Sequence, residues 1–307
     1  MATVSIITRT LDRPILLERM LLSLVAQTYQ DWECVIVDSG KPGPVQSLLE
    51  KHQEKLAGRV RHTPFQNPRP GMRGTALNAG IHAGTAPYIT VLDDDDTWHA
   101  DFLTTAVATL QAKMHPSVRG VVCRTRVIEE TSVEDGLQVT HEYDLNPEMS
   151  NVTLASLAMV NRYCIHAFVY ERSALGDVGL YPEDYPVLED WHFNLRFVLR
   201  HEIQVIPQTL TYYHFRPPQQ TGSEANSQTA ERTDHKFHEA RLINDALRQD
   251  IRDGKPGLGQ VLAQAAMTRH LTDVLHRHEG RLKVIGEKTG KIDARTKELK
   301  DKVIPRR

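Results

Sequence analysis

The chain has 307 residues, 40% of them hydrophobic and 25% charged, with a formal net charge of −2. That length allows one large domain or two modest ones with a real cleft, and the near-neutral balance argues against a general nucleic-acid binder, which carries a strong basic excess. No apolar run approaches the ~20 residues of a membrane span, and MATVSIITRT opens on a strand pattern instead of a signal peptide. The chain therefore reads as soluble and cytoplasmic. Cys34, Cys123 and Cys164 lie far apart in apolar runs, which fits buried reduced thiols better than a disulfide frame or a zinc site.

In chain order, residues 2–8 (ATVSIIT) read as a strand, and Pro14–Thr28 carries a helical stripe through Leu17, Met20, Leu21, Leu24 and Val25. A buried strand at 33–38 and a helix over Pro44–Leu56 follow. A short strand at 59–63, a helix over Thr75–Ala83 and a strand at 87–92 complete the first hundred residues. Strand and helix alternating at this spacing imply right-handed crossovers and a mostly parallel sheet, whose ligands bind beyond the carboxyl ends of the strands. After a helix over Asp101–Lys113, segments 118–130 and 137–143 read as a hairpin. A strand at 164–171, a helix over 188–201 and strands within 203–215 then suggest strands that extend the sheet and a second, smaller one. Residues 216–229 read as a loop from their Pro, Gly, Ser and Asn content. Helices follow around Thr233–Arg252 and over 258–280. The last 27 residues hold ten Lys/Arg against four Asp/Glu, with Leu282, Ile285, Ile292, Leu299 and Val303 on heptad positions and Thr289 and Thr296 filling the gaps. This tail reads either as a solvated, partly frayed basic helix or as an element for self-association or for contact with acidic lipid.

The run VLDDDDTW (91–98) raises the sharpest question. Neighbouring carboxylates ~6 Å apart repel by roughly 1–3 kcal/mol per pair, so a cation, or a positively charged partner, is the natural remedy. In an extended segment Asp93 and Asp95 leave on one side, and Asp94 and Asp96 on the other. Paired carboxylate oxygens suit a hard divalent ion, Mg²⁺ or Mn²⁺. An acidic turn capping the helix that follows, with Asp96 or Thr97 as N-cap, is the competing explanation.

The segments VSIITRTLDRPILLERMLLSLVAQTYQDWECVIVDSG, NAGIHAGTAPYITVLDDDDTW and LEDWHFNLR, in this order and spacing, resemble the family 2 glycosyltransferases with a GT-A fold, over roughly residues 2–215. The resemblance implies a Rossmann-like α/β fold: a mostly parallel central sheet flanked by helices, a smaller mixed sheet and a C-terminal helical extension. It implies a metal-dependent inverting transfer of a sugar from a nucleotide diphosphate sugar, with a UDP-sugar expected, to an acceptor hydroxyl. On this reading residues 1–215 are the transferase domain, with 1–100 binding the donor and 101–215 the acceptor. Residues 216–232 are a flexible loop and 233–307 the helical extension with its basic tail.

Carried over to this sequence, the resemblance makes Thr8, Arg9 and Thr10 the segment touching the nucleotide and Asp38 the carboxylate that reads the base. Asp93 faces the ribose or the metal, Asp95 is the main ligand of a Mn²⁺ or Mg²⁺ ion, and Asp94 meets the donor sugar. Asp190 is the general base, with Glu189 orienting the acceptor or the base. Apart from the resemblance, Trp98 beside the acid run offers either a stacking surface for an acceptor sugar or a core residue, and Trp191 reads more readily as core than as an acceptor platform. Two departures matter. Where many relatives carry Ala-Arg-Asn, this sequence has Ala76-Leu77-Asn78, so Asn78 is retained while Arg73 or Arg69 must replace the missing arginine on phosphate. His214 is a candidate metal ligand and Arg216 a candidate diphosphate contact. The acceptor is expected to be a carbohydrate or lipid-linked, in surface-glycan synthesis, with the protein cytoplasmic or peripheral at the inner face of the membrane. Two competing readings remain: a sugar-nucleotide nucleotidyltransferase, disfavoured because SIITRTLDRP lacks a glycine-rich phosphate loop, and a catalytically silent carbohydrate-binding or scaffold protein that kept the fold.

Overall fold

The alternation expected for the first hundred residues is present as β1 (Val4–Thr10), α1 (Pro14–Val25), β2 (Trp32–Asp38), α2 (Pro44–Lys51), α3 (Gln53–Leu56), β3 (Val60–Pro64), α4 (Arg73–Ala83) and β4 (Tyr88–Val91). A computed structural model describes residues 2–133, 136–216 and 232–303; the expected loop at 216–232 lies outside them except for its two ends. Helix α1 starts at Pro14, whose missing N–H and fixed φ suit a first helical turn, and it buries Leu16, Leu17, Met20, Leu21 and Leu24. The single helix expected over Pro44–Leu56 is interrupted at His52, whose Nε2 lies 2.6 Å from Glu18 Oε1.

The remaining elements are β5 (Thr97–Trp98), α5 (Phe102–Gln111), β6 (Val118–Val133), β7 (Gly136–Leu145), α6 (Leu154–Met159), β8 (Phe168–Glu171), α7 (Leu175–Val178), α8 (Glu189–Val198), β9 (Glu202–Phe215), α9 (Arg232–Asp253) and α10 (Leu258–Val303). The strands join in one nine-stranded sheet, ordered β3-β2-β1-β4-β8-β6-β9-β5 with β7 on β6. This corrects two expectations. The sheet is mixed instead of mostly parallel: β1–β2, β1–β4, β2–β3 and β6–β9 pair in parallel, whereas β4–β8, β6–β8, β6–β7 and β5–β9 are antiparallel. A separate smaller sheet is absent among the described residues, because β6 and β9 are long enough to carry the hairpin on the same sheet. Strand β9 passes through Pro207 without ending. The register steps from Cys123↔Ile206 to Arg124↔Thr209, a bulge that takes up a residue with no N–H to give.

Two reversals between β4 and β6 restore direction, so β1, β2, β4, β6 and β9 all end on one edge. Residues far apart in sequence meet there for that reason. Helix α8 is anchored behind this edge by Phe193 and Phe197, whose rings lie 5.3 Å from Tyr170 and 5.0 Å from Phe168 respectively.

The chain divides into two compact units, Met1–Asn244 and Asp245–Arg307. In the second, Asp250 Oδ2 accepts the N–H groups of Gly257 and Gln260 at 3.0 and 2.8 Å, satisfying donors at the start of α10. The basic tail is not frayed among the described residues. It continues α10 as one 46-residue helix to Val303, through Gly286 and Gly290, each of which costs a helix about 1 kcal/mol relative to alanine.

Glycine at 74 is required by close approach: a Cβ there would lie 2.0 Å from the Pro182 carbonyl oxygen, a backbone atom that no rotamer change removes. Gly74→Ala is expected to destabilise the protein by ~1–3 kcal/mol, a drop in urea midpoint at unchanged m-value. An unchanged midpoint would mean that segment 181–183 moves freely.

Candidate active site

The acidic run does not stay extended. Asp96 N–H donates to Asp93 O at 3.2 Å, closing a turn, so the alternation expected of the four side chains fails. Asp93 accepts Arg9 Nε at 3.0 Å. Asp94 Oδ2 accepts the Thr10 hydroxyl at 2.7 Å, and Arg13 Nη1 lies 3.4 Å from Asp94 Oδ1 and 3.5 Å from Asp95 Oδ2. Asp94 and Asp95 therefore face the same arginine. Asp95 Oδ2 also accepts Arg216, which is fully buried. Asp96 is turned inward, accepting His214 N–H at 2.9 Å and lying 2.9 Å from His166 Nδ1. The helix that follows starts at Phe102, with Asp101 and not Asp96 or Thr97 at its N-cap position.

Pairing of β5 with β9 sets Thr97 opposite Tyr212 and carries the acid run to the end of β9. There Glu130, from β6, gathers Arg19 Nη1 at 2.6 Å, His214 Nδ1 at 2.7 Å and Arg216 Nη1 at 3.4 Å. Arg19 also donates to the Asp95 carbonyl at 2.8 Å. Burial alone would raise the Glu130 carboxyl, but His214 and Arg19 hold it down at about 2. His214, expected as a metal ligand, has its other ring nitrogen 2.8 Å from the Thr97 hydroxyl, so both nitrogens are engaged.

On the opposite flank, Arg9 spans from the acid run to the start of α8. Its Nη1 donates to Glu189 Oε1 at 2.8 Å while its Nε holds Asp93. Helix α8 begins after Leu188, which has φ +66°, an unusual left-handed conformation for a bulky residue. Its first turn carries Glu189 and Asp190, where the helix dipole favours negative charge. Asp190 accepts Asn161 Nδ2 at 2.8 Å and Trp191 N–H at 2.7 Å. Burial and the neighbouring Glu189 charge push its carboxyl up to about 6, against these bonds and Arg9.

The electrostatics of the run divide in the same way. Burial opposes the charge of Asp93, yet Arg9, His166 and Arg73 outweigh it and hold the carboxyl below its usual range. Asp94 is pushed up to about 7 by burial and by Asp95. Asp95 is raised by burial and by Asp96, with Arg216 and Arg13 opposing.

Several expected residues lie outside this cluster. Thr8 is fully buried within the sheet, its hydroxyl 3.8 Å from Cys34 Sγ, and Thr8–Thr10 belong to β1, not to a loop. Asp38 sits beside Thr10 in register, but its carboxylate accepts Gly40 N–H at 2.9 Å and lies 3.0 Å from His62 Nε2. Asn78 clamps the backbone of Tyr181 with bonds of 2.9 and 3.0 Å and donates to Glu183 at 2.8 Å. Arg73 opens α4 and contributes charge near Asp93. The stacking surface offered at Trp98 does not form, and Trp191 takes the core place favoured for it. Both are core residues, their indole N–H groups donating to His166 O and Leu157 O at 2.8 and 2.7 Å. Glu189 is buried against Arg9, with no face toward an acceptor.

The oxygen donors of Asp93 and Asp95 have the chemistry that Mg²⁺ or Mn²⁺ prefers. Among the described residues, however, no group of three or more His, Cys, Asp or Glu is arranged to hold a metal ion, and the positive charge beside Asp95 is that of Arg13 and Arg216.

The shifted carboxyls fix a pH dependence. An unfolded aspartate ionises near ~3.9, so folded protein retains a proton on Asp94 between that pH and about 7, and its stability falls as pH rises through the window. Glu130 acts oppositely, stabilising above ~4.3 and losing that contribution as pH falls toward about 2. In metal-free buffer, Asp94→Asn should therefore raise the thermal midpoint more at pH 8 than at pH 5. An equal change at both values would contradict the assignment.

Residues 5–179 match the family described as Glycosyl transferase family 2. The GalNAc(5)-diNAcBac-PP-undecaprenol beta-1,3-glucosyltransferase of Campylobacter jejuni is 30% identical over 113 residues, 37% of this chain and 35% of that protein; the chain thus spans about a third of that relative's length. Among solved structures, S. aureus TarS 1–349 in complex with UDP-GlcNAc superposes with a TM-score of 0.63 at 18% identity, covering 89% of this chain and 73% of the other. The mannosyltransferase PcManGT from Pyrobaculum calidifontis, in complex with GDP-Man and Mn²⁺, gives 0.59 at 20% identity, covering 86% and 68%. No helix among the described residues is long and apolar enough to cross a membrane.

Proposed function

Because the chain belongs to glycosyl transferase family 2 and has its GT-A-like fold, we propose that it transfers a sugar, with inversion, from a nucleotide diphosphate sugar to an acceptor hydroxyl at the edge where β1, β4 and α8 meet. The observation that carries this reading is the Arg9 bridge, 3.0 Å to Asp93 and 2.8 Å to Glu189, which ties a donor-side carboxylate to the segment bearing Asp190. Asp190 is the general base. A hydroxyl is a poor nucleophile at neutral pH, and a carboxyl raised to about 6 is charged there yet basic enough to accept its proton.

Asp95, with Asp93, is the site for Mn²⁺ or Mg²⁺, which when bound would supply positive charge for the leaving diphosphate. Arg13, Arg73 and Arg216 contribute further positive charge toward that diphosphate, and Asp38 is the carboxylate proposed to read the base, exchanging His62 for it. A UDP-sugar is the proposed donor, in keeping with the UDP-GlcNAc complex of the TarS structure. A divalent ion accords with the Mn²⁺ of the Pyrobaculum enzyme. The undecaprenol-linked substrate in the name of the Campylobacter relative supports a carbohydrate or lipid-linked acceptor; surface-glycan synthesis, and a cytoplasmic place or one peripheral at the inner face of the membrane, are proposed with it. Residues 1–215 are the proposed transferase domain.

Calorimetric titration with UDP should show binding in Mn²⁺ that disappears in EDTA; metal-independent affinity, or none, counts against the reading. Asp190→Asn should keep that affinity while lowering sugar transfer by ~10²–10⁴-fold. In the wild type, turnover should climb tenfold per pH unit below about 6 and level off above it. Full transfer activity in Asp190→Asn, or a profile flat across pH 5–7, would remove Asp190 from the role of base.

A further inference from the structure

Helix α10 carries an apolar seam with heptad spacing. Leu275, Leu282, Thr289 and Thr296 occupy one set of positions seven apart, and Leu271, His278, Ile285, Ile292 and Leu299 the other. Nothing among the described residues covers the Leu and Ile members. Leu271, Leu275, Leu282, Ile285, Ile292 and Leu299 are between 55% and 67% exposed. Long helices gain their stability by packing such a face, and a strict seven-residue repeat is the pattern that wraps one helix around another of its kind.

We propose that α10 pairs in parallel with α10 of other copies of this chain, forming a coiled coil over residues 271–299. The charges beside the seam choose both partner and direction. The flanking positions on one side are Arg281, Lys288 and Arg295, and on the other Glu279, Gly286 and Asp293. Antiparallel copies would set the basic flank against itself along its length. Parallel copies set each flank against the opposite one of the next heptad, which places Lys288 against Asp293 of the other copy and Arg281 against Gly286. Arg295 meets position 300, a lysine in the sequence, so one like-charged step replaces the continuous repulsion of the antiparallel arrangement. This pairing is independent of the catalytic reading, because it uses no residue of the acidic edge.

Light scattering on the full chain should give an integer multiple of the chain mass above one, falling to the monomer in Ile285→Lys/Ile292→Lys. Lys288→Glu should weaken association several-fold, and Lys288→Glu/Asp293→Lys should restore it. Direction is read from single cysteines: Leu275→Cys and Ile292→Cys, made separately, should each cross-link to themselves under mild oxidation, with the wild type as control. Antiparallel copies allow at most one of these positions to face itself. A wild-type monomer overturns the proposal, including one that instead sediments with phosphatidylserine vesicles. So does cross-linking at only one position or neither.

Discussion

Consecutive carboxylates brought to the end of a buried strand are tolerated only if cations reach them, and the packing of the acidic edge follows from that need. Taking a charged carboxylate out of water costs several kcal/mol unless it is paired and hydrogen-bonded. Here the arginines come from three separate segments: Arg9 at the end of β1, Arg13 just before α1 with Arg19 within it, the latter on the Asp95 carbonyl and Glu130, and Arg216 after β9. Glu130 holds Arg19, Arg216 and His214 together. The mixed sheet makes this possible, since two reversals bring β6 and β9 back into the direction of β1 and β4. The same charges that hold the edge together are those a metal and a diphosphate would exchange partners with.

Much of this arrangement was legible in the sequence wherever a feature was local. Strand and helix periods located nearly every element of the first hundred residues, and the acid run stood out by composition and position, whereas the Glu189-Asp190 pair was singled out only by the family resemblance. What depended on contacts between distant segments was not legible. Trp98 and Trp191 look alike as surface platforms or core residues until the sheet closes over them, and Thr8 is turned inward by strand alternation that only the register fixes. The turn within Asp93–Asp96 overrode the extended alternation because Asp96 is drawn inward to His166 and His214.

The residues missed altogether, Arg13, Arg19, Glu130 and His166, matter through pairing and not through any motif. Faint signals existed for two of them. Arg19, with Glu18, is one of two charges set among Leu16, Leu17 and Met20 on a mostly apolar helix, and His166 is a lone histidine in CIHAFVY. Glu130 carried none, because its significance lies in which strands neighbour it. Asn78 kept its place in the sequence pattern while serving here to clamp Tyr181, and so to fix the segment packed against Gly74.

In this account the arginines, Arg216 foremost, hold the place beside Asp95 that a divalent ion takes when the donor binds. The most direct measurement is the Mn²⁺ affinity of nucleotide-free protein, followed by electron paramagnetic resonance, for the wild type and for Arg216→Gln. Removing the competing guanidinium should leave Asp95 open and tighten Mn²⁺ binding, by roughly tenfold if the displaced pair is worth about 1.4 kcal/mol. Affinity that stays the same or falls in folded Arg216→Gln would contradict the account, because Arg216 would then support the ion instead of standing in its place.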